Sequence, residues 1–158
     1  MKVSEILKQK NVPLVTVKKD TSVLTAAHRI RLANVGCVIV SEDGKHPDGI
    51  VAARDFTYNL ATHWGEHPKG NEFSYLLRPV SDIMHGPVKT CTPDDDLNDV
   101  LQIMWKFHFL HIPVLDGAGE LCGVVSIDDV IYSTLQEREL ENKVLHERIM
   151  LSGERPIE

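Results

Sequence analysis

Ser126-Ile127-Asp128-Asp129 stands where an apolar run, Leu121–Val125, gives way to a helical pattern. A hydroxyl and a carboxylate three positions apart at a helix start have two uses. They can satisfy the first free N–H groups as a capping box. Alternatively, with the positive end of the helix dipole, they offer a seat for a phosphate. Spacing alone leaves both open. The pattern returns in weaker form at Ala52-Ala53-Arg54-Asp55, where the carboxylate is kept, the hydroxyl is lost and a cation, Arg54, is gained. His111, just ahead of Ile112-Pro113, reads either as a ligand contact or as an ordinary histidine at a strand edge. Thr90 and Thr92 flank Cys91 ahead of a helix, where β-propensity and capping explain them as well as binding does.

Other chemistry is poorly supplied. His63 and His67 are four apart, and His108 and His111 three apart, but neither pair has an identifiable third ligand, so no metal is expected. Cys37, Cys91 and Cys122 are odd in number and lack C-x-x-C spacing. Each lies in or beside an apolar run, which predicts three buried free thiols, a reducing cytoplasm and no thiolate nucleophile. The chain holds no P-loop, G-x-G-x-x-G, G-x-S-x-G or H-E-x-x-H, and no nucleophile–base pair, so it is not expected to be an enzyme.

These residues recur because the chain is a repeat. A shift of 74 positions lays residues 16–60 on 90–134 without a gap. Thr16/Thr90, Asp20/Asp94, Val40/Val114, Gly49/Gly123, Val51/Val125, Asp55/Asp129 and Tyr58/Tyr132 are identical. Val23, Ala26, Ala27 and Ile30 match Leu97, Val100, Leu101 and Met104, both sets at i, i+3, i+4, i+7 on one helical face. A leader recurs at a shift of 77: Val-Ser-Glu-Ile-Leu at 3–7 and Val-Ser-Asp-Ile-Met at 80–84. Each unit reads β-α-β-β-α. The first strands are Val15–Val17 and Val88–Cys91, and polar caps at 20–22 and 94–96 open the first helices. The middle strands follow at 36–40 and 49–52, and at 111–115 and 121–125. Second helices start near Ala53 and Ile127. The expected division is unit 1 at 1–62, a linker at 63–79, unit 2 at 80–135 and a helical tail at 136–158.

The 158 residues carry 42% hydrophobic side chains and a formal charge of −6. That suffices for a buried core and argues against a nucleic-acid partner, which needs a basic face. No apolar stretch is long enough for a membrane span, and the start MKVSEILKQK has no signal-peptide h-region. The tail, with Leu135, Leu140, Val144, Leu145, Ile149 and Leu151 among charges, reads as an amphipathic helix packed on its own domain or across a dimer.

The layout resembles the CBS domain, named for cystathionine β-synthase, in tandem as a stand-alone Bateman module. The resemblance rests on Val80-Ser81-Asp82-Ile83-Met84, Thr92-Pro93, His111-Ile112-Pro113-Val114-Leu115-Asp116 and Gly123-Val124-Val125-Ser126-Ile127-Asp128-Asp129. In the first copy it rests on Val35–Val40 and Gly49–Asp55. It implies an α/β fold, two β-α-β-β-α units packed through their sheets about a pseudo-two-fold axis, with two clefts for adenosyl ligands. In one cleft it implies Ser126 and His111 near phosphate and Asp129 on the ribose hydroxyls. There Ile112 and Pro113 form the adenine slot, and Thr90 and Thr92 lie near the base. In the other it implies Thr16, Val38 and Asp55, a less complete set, to which Arg54 adds a cation at the helix start as a phosphate partner in departure from the family pattern. The expected role is regulatory sensing of AMP, ADP, ATP, NAD or S-adenosylmethionine by a cytoplasmic homodimer acting on a regulated partner, with no obligatory cofactor. The alternative is a constitutive dimerisation scaffold with empty clefts.

Overall fold

The computed structural model describes residues 1–10, 13–66 and 74–152. Unit 1 contains β1 (Thr16–Val17), α2 (Val23–Ala33), β2 (Cys37–Val40), β3 (Gly49–Ala52) and α3 (Ala53–Glu66), preceded by the leader helix α1 (Val3–Gln9). A short α4 (Ser74–Leu77) and a single 3-10 turn at Val80–Asp82 lead into unit 2. There α5 (Leu97–Phe107), β4 (His111–Leu115), β5 (Leu121–Ser126) and α6 (Ile127–Ser152) repeat the order.

The two helices that follow the polar starts begin and end alike. Ser22 accepts from Thr25 N–H and Asp96 from Asn98 N–H, each capping free donors of the first turn. Both helices stop at a residue in the left-handed region, Asn34 (φ 52°) and His108 (φ 56°), which occupy the same position in the repeat. His108 is thus a helix terminator, while His111 lies in β4, so the two do not share a helical face.

In unit 1 the sheet order is β1-β2-β3, with β1 parallel and β3 antiparallel to β2. Unit 2 has only the antiparallel β4–β5 pair, and the strand expected at Val88–Cys91 is reduced to one bridge, Cys91 to Val114. Proline explains the difference. In unit 1 the Ile39 N–H donates to Val15 O at 3.0 Å. The equivalent residue in unit 2 is Pro113, which has no N–H to give, so that rung is lost and the pairing keeps only Cys91 N–H to Pro113 O and Leu115 N–H to Cys91 O.

The leaders exchange partners. Val3 and Ile6 belong to the core of unit 2, with Leu97, Val100, Met104, Ile112 and Val125. Val80 and Ile83, together with Tyr75, belong to the core of unit 1, with Val23, Val38, Val40 and Val51. Backbone bonds repeat the exchange: Val3 N–H to Asp95 O matches Val80 N–H to Thr21 O, and Leu97 N–H to Met1 O matches Val23 N–H to Arg78 O. The recurrent glycines make room for it. A Cβ on Gly123 would meet the Leu7 methyls, and one on Gly49 would meet Met84 Sδ, Cγ and Cβ. Leu7 offers a rotatable end, whereas Met84 is engaged down to its Cβ. Gly49→Ala is therefore expected to cost about 1–3 kcal/mol and Gly123→Ala clearly less, read by urea unfolding of each variant.

Two cysteines, Cys37 and Cys91, are buried as expected, but Cys122 is exposed. It lies on the outward face of β5, alternating with buried Gly123 and Val125. Beyond Leu135, α6 continues as one helix with Leu140, Val144 and Leu145 exposed.

Candidate functional site

Two cavities lie between the units. One, of about 270 Å³, is walled by Ser126, Asp128, Asp129, Val124 and His111 of unit 2, and by Lys10, Pro13–Val15 and Asn34–Cys37. The other, of about 330 Å³, is walled by Ile50, Ala52, Arg54 and Asp55 of unit 1, and by His85–Pro87 and Phe109–His111. Each carboxylate therefore faces the entry segment of the other unit, a direct result of the exchanged leaders.

Asp129 is the third residue of α6. Its Oδ2 accepts from Ser126 N–H at 2.8 Å and from Ser126 Oγ–H at 2.6 Å, while the Asp129 N–H donates back to Ser126 Oγ at 3.3 Å. The capping box is thus real, and it stands on a cavity wall. Lys10, one residue beyond α1, adds its ammonium to Oδ2 and also donates to Val124 O at 3.3 Å. Burial pushes the Asp129 carboxyl up, but the Lys10 and Ser126 donors outweigh it and hold the group below the usual carboxylate range. Oδ1 has no protein partner among the described residues.

Asp55 is arranged differently. Its Oδ2 accepts from Ala52 N–H at 2.7 Å, and its Oδ1 lies 2.8 Å from His85 Nε2. The side chain is 5% exposed, against 22% for Asp129. Both oxygens are engaged, and the imidazole covers the carboxylate from the cavity side. Lys10 and His85 thus play the same part, each a nitrogen base from one unit's leader set on the carboxylate of the other unit. Neither stands out in the sequence. The signal was that each follows a recurrent leader, Lys10 three residues after Leu7 and His85 directly after Met84.

His111 lines both cavities. Its ring takes up the volume that a side chain at Gly36 would need. Nδ1 is buried without a hydrogen-bond partner. Burial, with the Lys10 charge behind it, pushes the imidazole below its ordinary value. The unfolded chain therefore holds this proton at a higher pH than the folded one. The stability is complete above about pH 6.5 and falls as pH drops from there toward the folded-state value. Melting temperatures between about pH 7.5 and 5 are expected to fall in the wild type and to flatten in His111→Gln. The exposed His46–Asp43 pair has the opposite sign, since Asp43 raises the His46 pKa, but solvent screens it.

The other expected contacts lie elsewhere. Thr90 is half-buried and Thr92 exposed, on neither wall, and the Thr92 N–H donates to Asp95 in the helix-entry turn. Ile112 and Pro113 are buried in β4, Ile112 within the unit 2 core, and Val38 is buried in the unit 1 core. Thr16 borders a separate hollow with Arg29, whose guanidinium donates to Thr16 O. The residues brought together are Ser126, Asp129 and His111 in one cavity and Arg54, Asp55 and His111 in the other. Missed by sequence were Lys10, His85, Asn34–Gly36 and the Pro13–Val15 segment.

Burial pushes the Cys37 and Cys91 thiols up to about 12, so neither is a thiolate at neutral pH. Among the described residues no three His, Cys, Asp or Glu side chains converge on a metal position. His67 lies outside the described residues.

The model of the CBS domain family matches residues 3–62 and 80–135. The chain belongs to the CBS domain family, as a tandem pair. A CBS-domain containing protein of Agrobacterium tumefaciens is 30% identical, with TM-score 0.73 over 85% of this chain and 99% of that one. A 17.7 kDa protein of Acidianus ambivalens is 28% identical over 140 residues, 89% of this chain and 77% of its own. More distant CBS pairs share the fold. One from Pyrobaculum aerophilum was solved complexed with AMP (24% identity, TM-score 0.67, 82% and 89% covered). The pair of protein MJ0100 was solved with 5′-methylthioadenosine and S-adenosyl-L-methionine (22%, TM-score 0.71, 87% and 98% covered). No helix among the described residues of this CBS pair is long and apolar enough to cross a membrane.

Proposed function

We propose that this CBS pair is a regulatory sensor of adenosyl ligands, without catalytic activity, working as a cytoplasmic homodimer on a regulated partner protein. One observation carries the reading: each cavity between the units has on its wall a helix N-terminus with a carboxylate at the third position, Asp55 or Asp129. A carboxylate there offers acceptors for a ribose diol in short, charge-assisted bonds, and the helix end favours an anion beside it. The AMP and adenosyl complexes of the distant pairs support the choice of ligand. AMP, ADP, ATP, NAD and S-adenosylmethionine share the adenosine part such a site reads. For the dimer, the repeat-related Tyr58 and Tyr132 are 65% and 62% exposed on α3 and α6, with Leu60, Ile131 and Leu135 exposed on the same helices. Apolar faces of this kind, repeated about an internal axis, suit a second copy of the chain.

The scaffold reading, with clefts permanently empty, draws on a specific observation as well: Lys10 and His85 each pair with one of the two carboxylates from within the protein. Thermal melts with the five ligands separate the two. A ligand at about 100 times its dissociation constant adds about 2.7 kcal/mol, a rise of roughly 5–10 °C for a domain of this size. Native mass spectrometry of the purified protein should show adenosyl ligand carried through. No shift with any of the five, at concentrations saturating for known sensors, leaves the scaffold.

A further inference from the structure

The repeat places residues 54 and 128 in register. Each is the second residue of its helix, each is exposed, and each borders its own cavity beside the carboxylate. One is arginine and the other aspartate. The positive end of α3 is thus reinforced by a guanidinium. The positive end of α6 is opposed by two carboxylates, Asp128 and Asp129.

The remaining groups sharpen the contrast. In the Asp129 cavity the only cation among the described residues is Lys10, and its ammonium is held by Asp129 Oδ2 and Val124 O. His111, forced toward the neutral form by burial, adds no charge. Asp128 therefore stands as an uncompensated anion at the place where a 5′ substituent would meet the helix end. In the Asp55 cavity both carboxylate oxygens are engaged, Oδ2 by Ala52 N–H and Oδ1 by His85 Nε2 at 2.8 Å. Arg54 spends one N–H on His108 O at 3.1 Å and keeps the rest of its fork for the cavity.

We infer that the two clefts sort adenosyl ligands by the charge of the 5′ group. The Asp55 cleft takes adenosine carrying a 5′-phosphate. The Asp129 cleft takes adenosine whose 5′ substituent is neutral or cationic, a thioether or a sulfonium. This rests on the adenosyl reading above and names the ligand class of each cleft.

The test is calorimetric titration of the full chain with AMP and with 5′-methylthioadenosine, which differ in charge at the 5′ position. Two exposed charge variants, Arg54→Asp and Asp128→Arg, accompany the wild type, with melts to verify folding. Arg54→Asp is expected to weaken AMP roughly tenfold or more, the loss of one charge-assisted contact, and to leave methylthioadenosine unchanged. Asp128→Arg is expected to raise the AMP stoichiometry from one to two per chain. If both ligands bind both clefts alike and neither variant alters AMP, charge sorting is overturned and the adenosyl reading stands. If neither ligand binds the wild type, the adenosyl reading itself fails.

Discussion

Asp55→Ala is expected to lower stability by about 2–3 kcal/mol, with or without ligand, and the melting temperature by roughly 5–10 °C. The carboxylate is buried and caps α3 through Ala52 N–H. Alanine leaves that donor without its partner and opens a polar gap beneath His85. Asp129→Ala is expected to cost about 1 kcal/mol, since its more exposed position lets water replace part of what the carboxylate accepts. The two aspartates match in the repeat, yet both oxygens of Asp55 are engaged within the protein while those of Asp129 are engaged at Oδ2. Urea unfolding of both variants checks the ranking. Equal losses, or a larger loss at Asp129, would contradict it.

Gly36→Val is the second large effect. The backbone at Gly36 is not in the left-handed region, so the constraint is one of space alone. A Cβ there collides with Nε2 and Cε1 of His111. The displaced ring is pushed toward the two cavities that it lines. The variant is expected to lose about 1–3 kcal/mol and to bind ligand weakly in at least one cleft. His111→Ala in the same chain should recover part of the loss, with a coupling of about 0.5–3 kcal/mol in a double-mutant cycle. Strict additivity would show that the two residues do not share the space.

Much of the fold was readable because local patterns repeat. The polar caps before Val23 and Leu97, the apolar strands at 37–40 and 111–115, and the helix starts at Ala53 and Ile127 follow from short-range periodicity and capping. The lost first strand of unit 2 follows from Pro113, a residue visible in the sequence, but its effect depends on knowing which N–H the ladder needs. The site was half readable. Ser126, Asp129, Arg54, Asp55 and His111, which line the two cavities, stand out in the sequence because each departs from, or keeps, its counterpart in the other copy. Thr90 and Thr92 were placed near the base by the resemblance to the family. The wall of the Asp129 cavity comes from Pro13–Val15 instead. Internal similarity shows which segments are equivalent and does not say on which copy a segment packs. Lys10 and His85 were hidden for the same reason.

The exchanged leaders also bear on how the chain must be assembled. Val3 and Ile6 are buried by a surface that is complete only with Val125 and Val130, which lie at the far side of both units in the sequence. Unit 1 in turn waits for Tyr75, Val80 and Ile83. Neither half can close on its own stretch of sequence, so the chain makes one cooperative folding unit out of what duplication supplied as two. Contacts this far apart in sequence favour slow folding. They also tie the two clefts to a common transition, since each leader completes the core of the opposite half.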